Sequence, residues 1–113
     1  MKINEYQELA LRTANTDAMK IKEEAMLNGV LGLNGEAGEV ADIVKKYRYQ
    51  GHELDKERLI KELGDVCWYV ALLAYSLDCD LETVLKKNID KLKKRYPEGF
   101  EKERSLHRES EDK

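Results

Sequence analysis

LGLNGEAGEVADIV, Leu31 to Val44, holds Glu36 and Glu39 three residues apart inside an apolar pattern of helical period. A second acidic pair at the same spacing, Glu62 and Asp65, stands in KELGDV, Lys61 to Val66. At about 100° per residue, Leu33, Ala37, Val40 and Val44 share one arc, with Glu36 about 60° and Glu39 about 120° to one side of Leu33. On the second helix, Leu63, Val66, Cys67, Val70 and Ala74 form the stripe, and Glu62 and Asp65 flank it at about 100° and 160° from Leu63. Both stripes are expected to face the core. Neighbours at i and i+3 can aim two carboxylates at one point, and facing helices about 8–10 Å apart leave room for four of them and a cation. Carboxylates that close repel one another; a hard, oxygen-preferring ion, Mg²⁺ or Mn²⁺, relieves the repulsion. In a chain with 38% charged residues the competing reading is that both pairs are ordinary solvated helix shoulders.

Outward from these pairs, the chain reads as helical throughout. It has a single proline, Pro97, and no strand-like alternation. A first helix is expected from about residue 4 to 14, with Asn4 and Gln7 in a capping arrangement, and Asn15 to Ile21 as a polar connection or frayed turn. The helix with Glu36 runs from Lys22 to Tyr49 and stops at Gly51. Gly29, Gly32, Gly35 and Gly38 recur in it at every third residue; each costs about 1 kcal/mol relative to alanine, so close packing or room for a ligand must justify them. The helix with Glu62 spans Lys56 to Leu77 behind an Asp55 N-cap. Opposite its core stripe, Trp68, Leu72 and Tyr75 form a second apolar face, expected to mark a homo-oligomer interface unless the N-terminal helix covers it. A fourth helix follows from Leu81 to Tyr96, capped by Asp80 and ended by Pro97 and Gly99.

Six basic residues crowd the second half of that last helix: Lys86, Lys87, Lys91, Lys93, Lys94 and Arg95. Most are accounted for as a solvated face at a helix C-terminus. Asn88, Lys91 and Arg95 instead share the arc of Leu81, Val84, Leu85 and Leu92, where polar groups need partners. The acidic cluster, backbone carbonyls or a phosphate would serve. After Phe100, EKERSLHRESEDK has almost no apolar content and is expected to be a flexible charged tail, 100–113, following a single domain, 1–99. His52 and His107 read as surface residues.

Composition bounds the function. The 113 residues suit one modest core. A net charge of −3 and a pI near 5.5 argue against non-specific nucleic-acid binding. Two cysteines, Cys67 and Cys79, without CxxC or histidine at ligand spacing, read as buried or loop thiols in a reducing compartment. MKINEYQELA is no signal peptide, and Val66 to Leu77 is too short to span a bilayer, so a cytoplasmic protein is expected.

Glu36-Ala37-Gly38-Glu39, a gap, then Glu62-Leu63-Gly64-Asp65 resembles the signature of the MazG-like all-α nucleoside triphosphate pyrophosphohydrolases. NIDKLKKRYPEGF, Asn88 to Phe100, is similar to the segment after the third core helix in single-domain members. Many relatives carry a further glutamate where this chain has Gly35. The resemblance implies an all-α, four-helix core in an oligomeric bundle, homodimer or homotetramer. It also implies hydrolysis of a nucleoside triphosphate (NTP or dNTP) to the monophosphate and pyrophosphate. Glu36, Glu39, Glu62 and Asp65 would hold Mg²⁺, Glu36 or Glu39 would act as base, and Asn88, Lys91 and Arg95 would bind phosphate. Gln7, Asn34, Trp68 and Tyr69 are candidates for contact with the base, and spacing does not rank them. The alternatives are a non-catalytic helical interaction module, and the phosphoribosyl-ATP pyrophosphohydrolase branch of the same superfamily. A di-iron bundle expects Glu-x-x-His on two helices, and no histidine follows either acidic pair.

Overall fold

A computed structural model describes residues 1–14 and 16–107 and is all-α. The helices are α1 (Ile3–Leu11), α2 (Thr16–Lys20), α3 (Lys22–Tyr49), α4 (Lys56–Ser76), α5 (Leu81–Arg95) and α6 (Lys102–Leu106). The chain divides into two compact units, Met1–Leu81 and Glu82–Lys113. The segment expected to be a frayed turn contains the single-turn α2, while Asn15 lies outside the described residues. So does 108–113 of the charged tail, whose described part contains α6.

In the first unit α3 and α4 are the main packing pair, with α1 against α4 and α2 against α3. Glu23 and Glu24 favour the N-terminus of α3 by complementing its dipole. At its other end Gly51 takes φ +73°, and the amides of Gln50 and His52 both donate back to the Lys46 carbonyl. The α4 start is capped as expected: Asp55 Oδ1 accepts from the Arg58 amide at 3.0 Å.

The seam between α3 and α4 is not the face that the apolar stripes suggested. On its α3 side Gly29 and Gly32 lie against Leu73 and Tyr69, and Glu36 approaches Glu62 and Asp65; Ala25, Gly29 and Ile43 are the buried residues of α3. A Cβ at Gly29 would meet Leu73 Cγ at 2.8 Å, and one at Gly32 would overlap the Tyr69 ring. Early α3 therefore meets late α4, and the pair is antiparallel. Gly29 and Gly32 are packing glycines; Gly35 and Gly38 look onto open space. Gly35→Ala is accordingly expected to stabilise the fold by about 0.5–1 kcal/mol in urea denaturation; an unchanged or lower midpoint would contradict this.

The second apolar face of α4 is covered within the chain, by α1 and α2. Leu72 is 2% exposed, Trp68 Nε1 donates to Ala10 O and Thr13 Oγ1, both at 2.9 Å, and Tyr75 Oη donates to Met19 O at 3.3 Å. Lys22 sits 3.4 Å above the Tyr75 ring and pairs with Asp78 at 3.1 Å. Gln7 does not cap α1, whose N-cap is Lys2. It is buried instead, donating to Ala71 O at 3.1 Å and accepting from the Leu81 amide at 3.0 Å.

Of the stripes expected to be core, Ala74 is buried and Leu33, Val40, Val66 and Val70 are half-buried, while Ala37, Val44, Leu63 and Cys67 are left open. Met26, Val30 and Val44 on α3, Ile60 and Leu63 on α4, and Leu77 just after it are 40–65% exposed and widen these open arcs. The two arcs lie about 90° and 110° from the seam in the same rotational sense, so in an antiparallel pair they open on one side. The helical period alone could not choose between two apolar faces, one of which α1 claims.

Candidate functional site

The antiparallel pairing brings the second acidic pair opposite the first. One carboxylate oxygen from each of Glu36, Glu62 and Asp65 lies within 4.8 Å of the others. Glu36 and Glu62 are half-buried and Asp65 is exposed. Glu39, the fourth expected ligand, is exposed and stands outside this group, though its charge is felt at Glu36. Glu36 holds its proton above the usual 4.5, chiefly through a hydrogen bond shared with Glu62, then through partial burial and the charges of Asp65, Glu62 and Glu39.

That shift has a measurable sign. Below the usual 4.5 the carboxyl is protonated in both folded and unfolded chains; above it the unfolded chain releases the proton first. Metal-free stability should therefore fall as pH rises from about the usual 4.5 through the raised folded value. MgCl₂ is expected to raise the melting temperature more at pH 7 than at pH 4, as thermal denaturation at the two pH values would show.

Beside the carboxylates is a cavity of about 330 Å³ lined by Thr13, Glu36, Asp65, Trp68 and Tyr69. The two rings stand perpendicular, centroids 4.9 Å apart. Of the base-contact candidates, Trp68 and Tyr69 line this cavity, Gln7 is committed to the α1–α4 junction, and Asn34 is exposed on α3. Thr13 carried no sequence signal for this place, because it follows α1 in a turn whose path depends on docking against α4.

A larger cavity, about 670 Å³, lies between α1, α2 and the C-terminal end of α4, with Arg12, Lys22, Tyr75 and Asp78 in its wall. Asn88, Lys91 and Arg95 occupy successive turns of α5 in the second unit. Lys91 and Arg95 are half-buried; Asn88, expected on a buried face, is exposed, as are Leu85 and Leu92. Cys67, expected to be buried or in a loop, is exposed on α4, and Cys79 is half-buried in the loop after it; both are free thiols. His52 and His107 are exposed. Among the described residues, no helix is long and apolar enough to cross a membrane.

The fold and the cluster define an all-α protein with a carboxylate centre suited to a hard cation. The chain belongs to the MazG nucleotide pyrophosphohydrolase domain family, whose profile matches residues 25–100 and so covers both acidic pairs. It is similar to the Gene 37 protein of Mycobacterium phage L5, 45% identical over 73 residues that cover 61% of this chain and 64% of that one. It is also similar to the uncharacterized protein YvdC of Bacillus subtilis (strain 168), 37% identical over 70 residues, 54% of this chain and 66% of that one. The chain thus spans just under two thirds of the length of these curated relatives. No solved structure matches significantly.

Proposed function

We propose that this chain hydrolyses a nucleoside triphosphate to the monophosphate and pyrophosphate with Mg²⁺ or Mn²⁺ as cofactor. The observation that carries this reading is the convergence of Glu36, Glu62 and Asp65 within 4.8 Å beside an aromatic cavity. Three carboxylate oxygens are a hard donor set, and Glu36 holds its proton above the usual value chiefly through its hydrogen bond with Glu62, then through burial and the nearby carboxylate charges that a cation would offset. A bound ion would supply charge neutralisation at phosphate oxygens and lower the pKa of a water.

The protein groups do the rest. Glu36, Glu62 and Asp65 would hold the ion. Glu39, exposed beside them, is free to take a proton from the attacking water. Asn88, Lys91 and Arg95, on α5 of the second unit, are the phosphate-binding residues that the family resemblance implies. Pyrophosphate release from a panel of ribo- and deoxynucleoside triphosphates, with and without Mg²⁺, tests the reading. Metal-dependent release supports it. Release only from phosphoribosyl-ATP would move the chain to that branch of the superfamily, and no release from any substrate would favour an interaction module.

We also propose that the chain is a homo-oligomer closed through the open side of α3 and α4. Between Met26 and Val44, and between Leu59 and Leu77, no charged residue falls in either exposed arc. A second copy can therefore pair with the same face about a twofold axis and form a four-helix bundle without burying charge. Asp65 and Trp68 lie on the far side of α4 from Leu63, so the acidic site stays accessible. Leu63→Glu is expected to convert the assembly to monomer in sedimentation velocity at micromolar concentration; a wild-type chain that is already monomeric there would refute the arrangement.

A further inference from the structure

We infer that the larger cavity, between α1, α2 and the C-terminal end of α4, is a second ligand site that takes a free α-amino acid with a large apolar side chain. The inference is independent of the hydrolase reading. Tyr75 in the cavity wall follows Asp65 by ten residues on α4, about 15 Å along the helix from the acids. The volume of about 670 Å³ falls inside the range of small-molecule pockets, about 300–1,000 Å³.

Most polar groups of the wall are satisfied by the protein, and the two that are not select the ligand. The Lys22 ammonium has three donors; it meets Asp78 at 3.1 Å, the Tyr75 carbonyl at 3.2 Å and the Tyr75 ring at 3.4 Å. Gln7 commits its amide to Ala71 O and the Leu81 amide. The Cys79 thiol donates to Asp80 O at 3.4 Å, and Asp80 is not free either. Glu8 and Arg12 differ. Both line the cavity from α1, one turn apart, a spacing at which an acid and a base commonly pair. They form no ion pair with each other, and neither side chain has a polar partner among the described residues.

The wall therefore offers one uncommitted carboxylate and one uncommitted guanidinium. A simple anion held by Arg12 would also face Glu8, Asp78 and Asp80; a simple cation held by Glu8 would face Arg12 and Lys22. A zwitterion suits both groups, its ammonium on Glu8 and its carboxylate on the Arg12 fork, which can donate a pair of hydrogen bonds. Leu11, on the same side of α1, and Met19 are half-buried in this wall and give an apolar side chain a surface to cover. The walls are also held in place before a ligand arrives. Gln7 ties α1 to α4, and Lys22 and the Tyr75 hydroxyl, which donates to Met19 O at 3.3 Å, tie α2 and the start of α3 to the end of α4. Such preorganisation lowers the cost of binding.

Isothermal titration calorimetry of the full chain with L-phenylalanine tests the site, beside three ligands that each lack one part of it. Phenethylamine lacks the carboxylate, 3-phenylpropionate the amine and glycine the ring. L-Phenylalanine is expected to bind, each phenyl analogue to bind about 5-fold more weakly through loss of one exposed charge pair, and glycine to give no saturable heat. In Glu8→Gln the affinity for L-phenylalanine should fall to that of 3-phenylpropionate, and in Arg12→Gln to that of phenethylamine. Both side chains are exposed and have no partner to lose, so both variants should melt with the parent. No saturable heat with L-phenylalanine, equal affinity for the three phenyl ligands, or parent-like binding in either variant would overturn the proposal.

Discussion

Asp65→Asn should lower metal-dependent pyrophosphate release by more than the 10- to 100-fold that loss of an outer partner of a metal ligand typically costs. Asparagine keeps the shape and one oxygen but removes a charge from the three carboxylates gathered within 4.8 Å. The same change takes away one source of repulsion at Glu36, so the metal-free variant should melt higher than the parent and gain less from Mg²⁺. A variant that merely misfolds would lose activity and melt lower, which separates the two outcomes. Glu39→Gln provides the contrast. On the proposed reading, in which Glu39 is the base and not a ligand, this variant should lose rate, by about 10²- to 10⁴-fold, while keeping the full Mg²⁺-dependent rise in melting temperature. Equal loss of Mg²⁺ stabilisation in both variants would make Glu39 a ligand instead.

The largest stability effect is expected at Gln7, a residue far from the chemistry. Its side chain is 8% exposed and ties α1 to the Ala71 carbonyl and to the amide of Leu81. Gln7→Leu preserves the bulk but leaves a buried N–H without its acceptor. The expected cost is about 2–3 kcal/mol, read as a lower urea midpoint at unchanged slope. A midpoint within a few tenths of a molar of the parent would show that water replaces the glutamine.

The helices around the acidic pairs were legible because their boundaries have local causes. Lys22 to Tyr49 followed from the glycine stop, and the α4 start from the Asp55 cap. The convergence of Glu36 with Glu62 and Asp65 was legible as well, since i, i+3 spacing on two paired helices leaves few ways to keep the acids apart. Which side of each helix faces its neighbour was not. Leu33, Ala37 and Val44 look more apolar than Gly29, Gly32 and Glu36, yet the latter make the seam, because backbone proximity at a glycine counts for more there than side-chain hydrophobicity. The role of Gln7 was hidden for a related reason. Its partners are the carbonyl of Ala71 and the amide of Leu81, distant in sequence and carried by backbone that every residue shares.

Leu73 over Gly29 and Tyr69 over Gly32 also act as a register lock. Sliding α4 along α3 by one turn would displace it by about 5.4 Å and press one of the two bulky side chains against a residue that possesses a Cβ, Leu73 against Ala25 in one direction or Tyr69 against Glu36 in the other. That distance exceeds the 4.8 Å separating the carboxylate oxygens. Two missing side chains, one and two turns along the helix from Glu36, thus hold the longitudinal alignment on which the acidic centre depends.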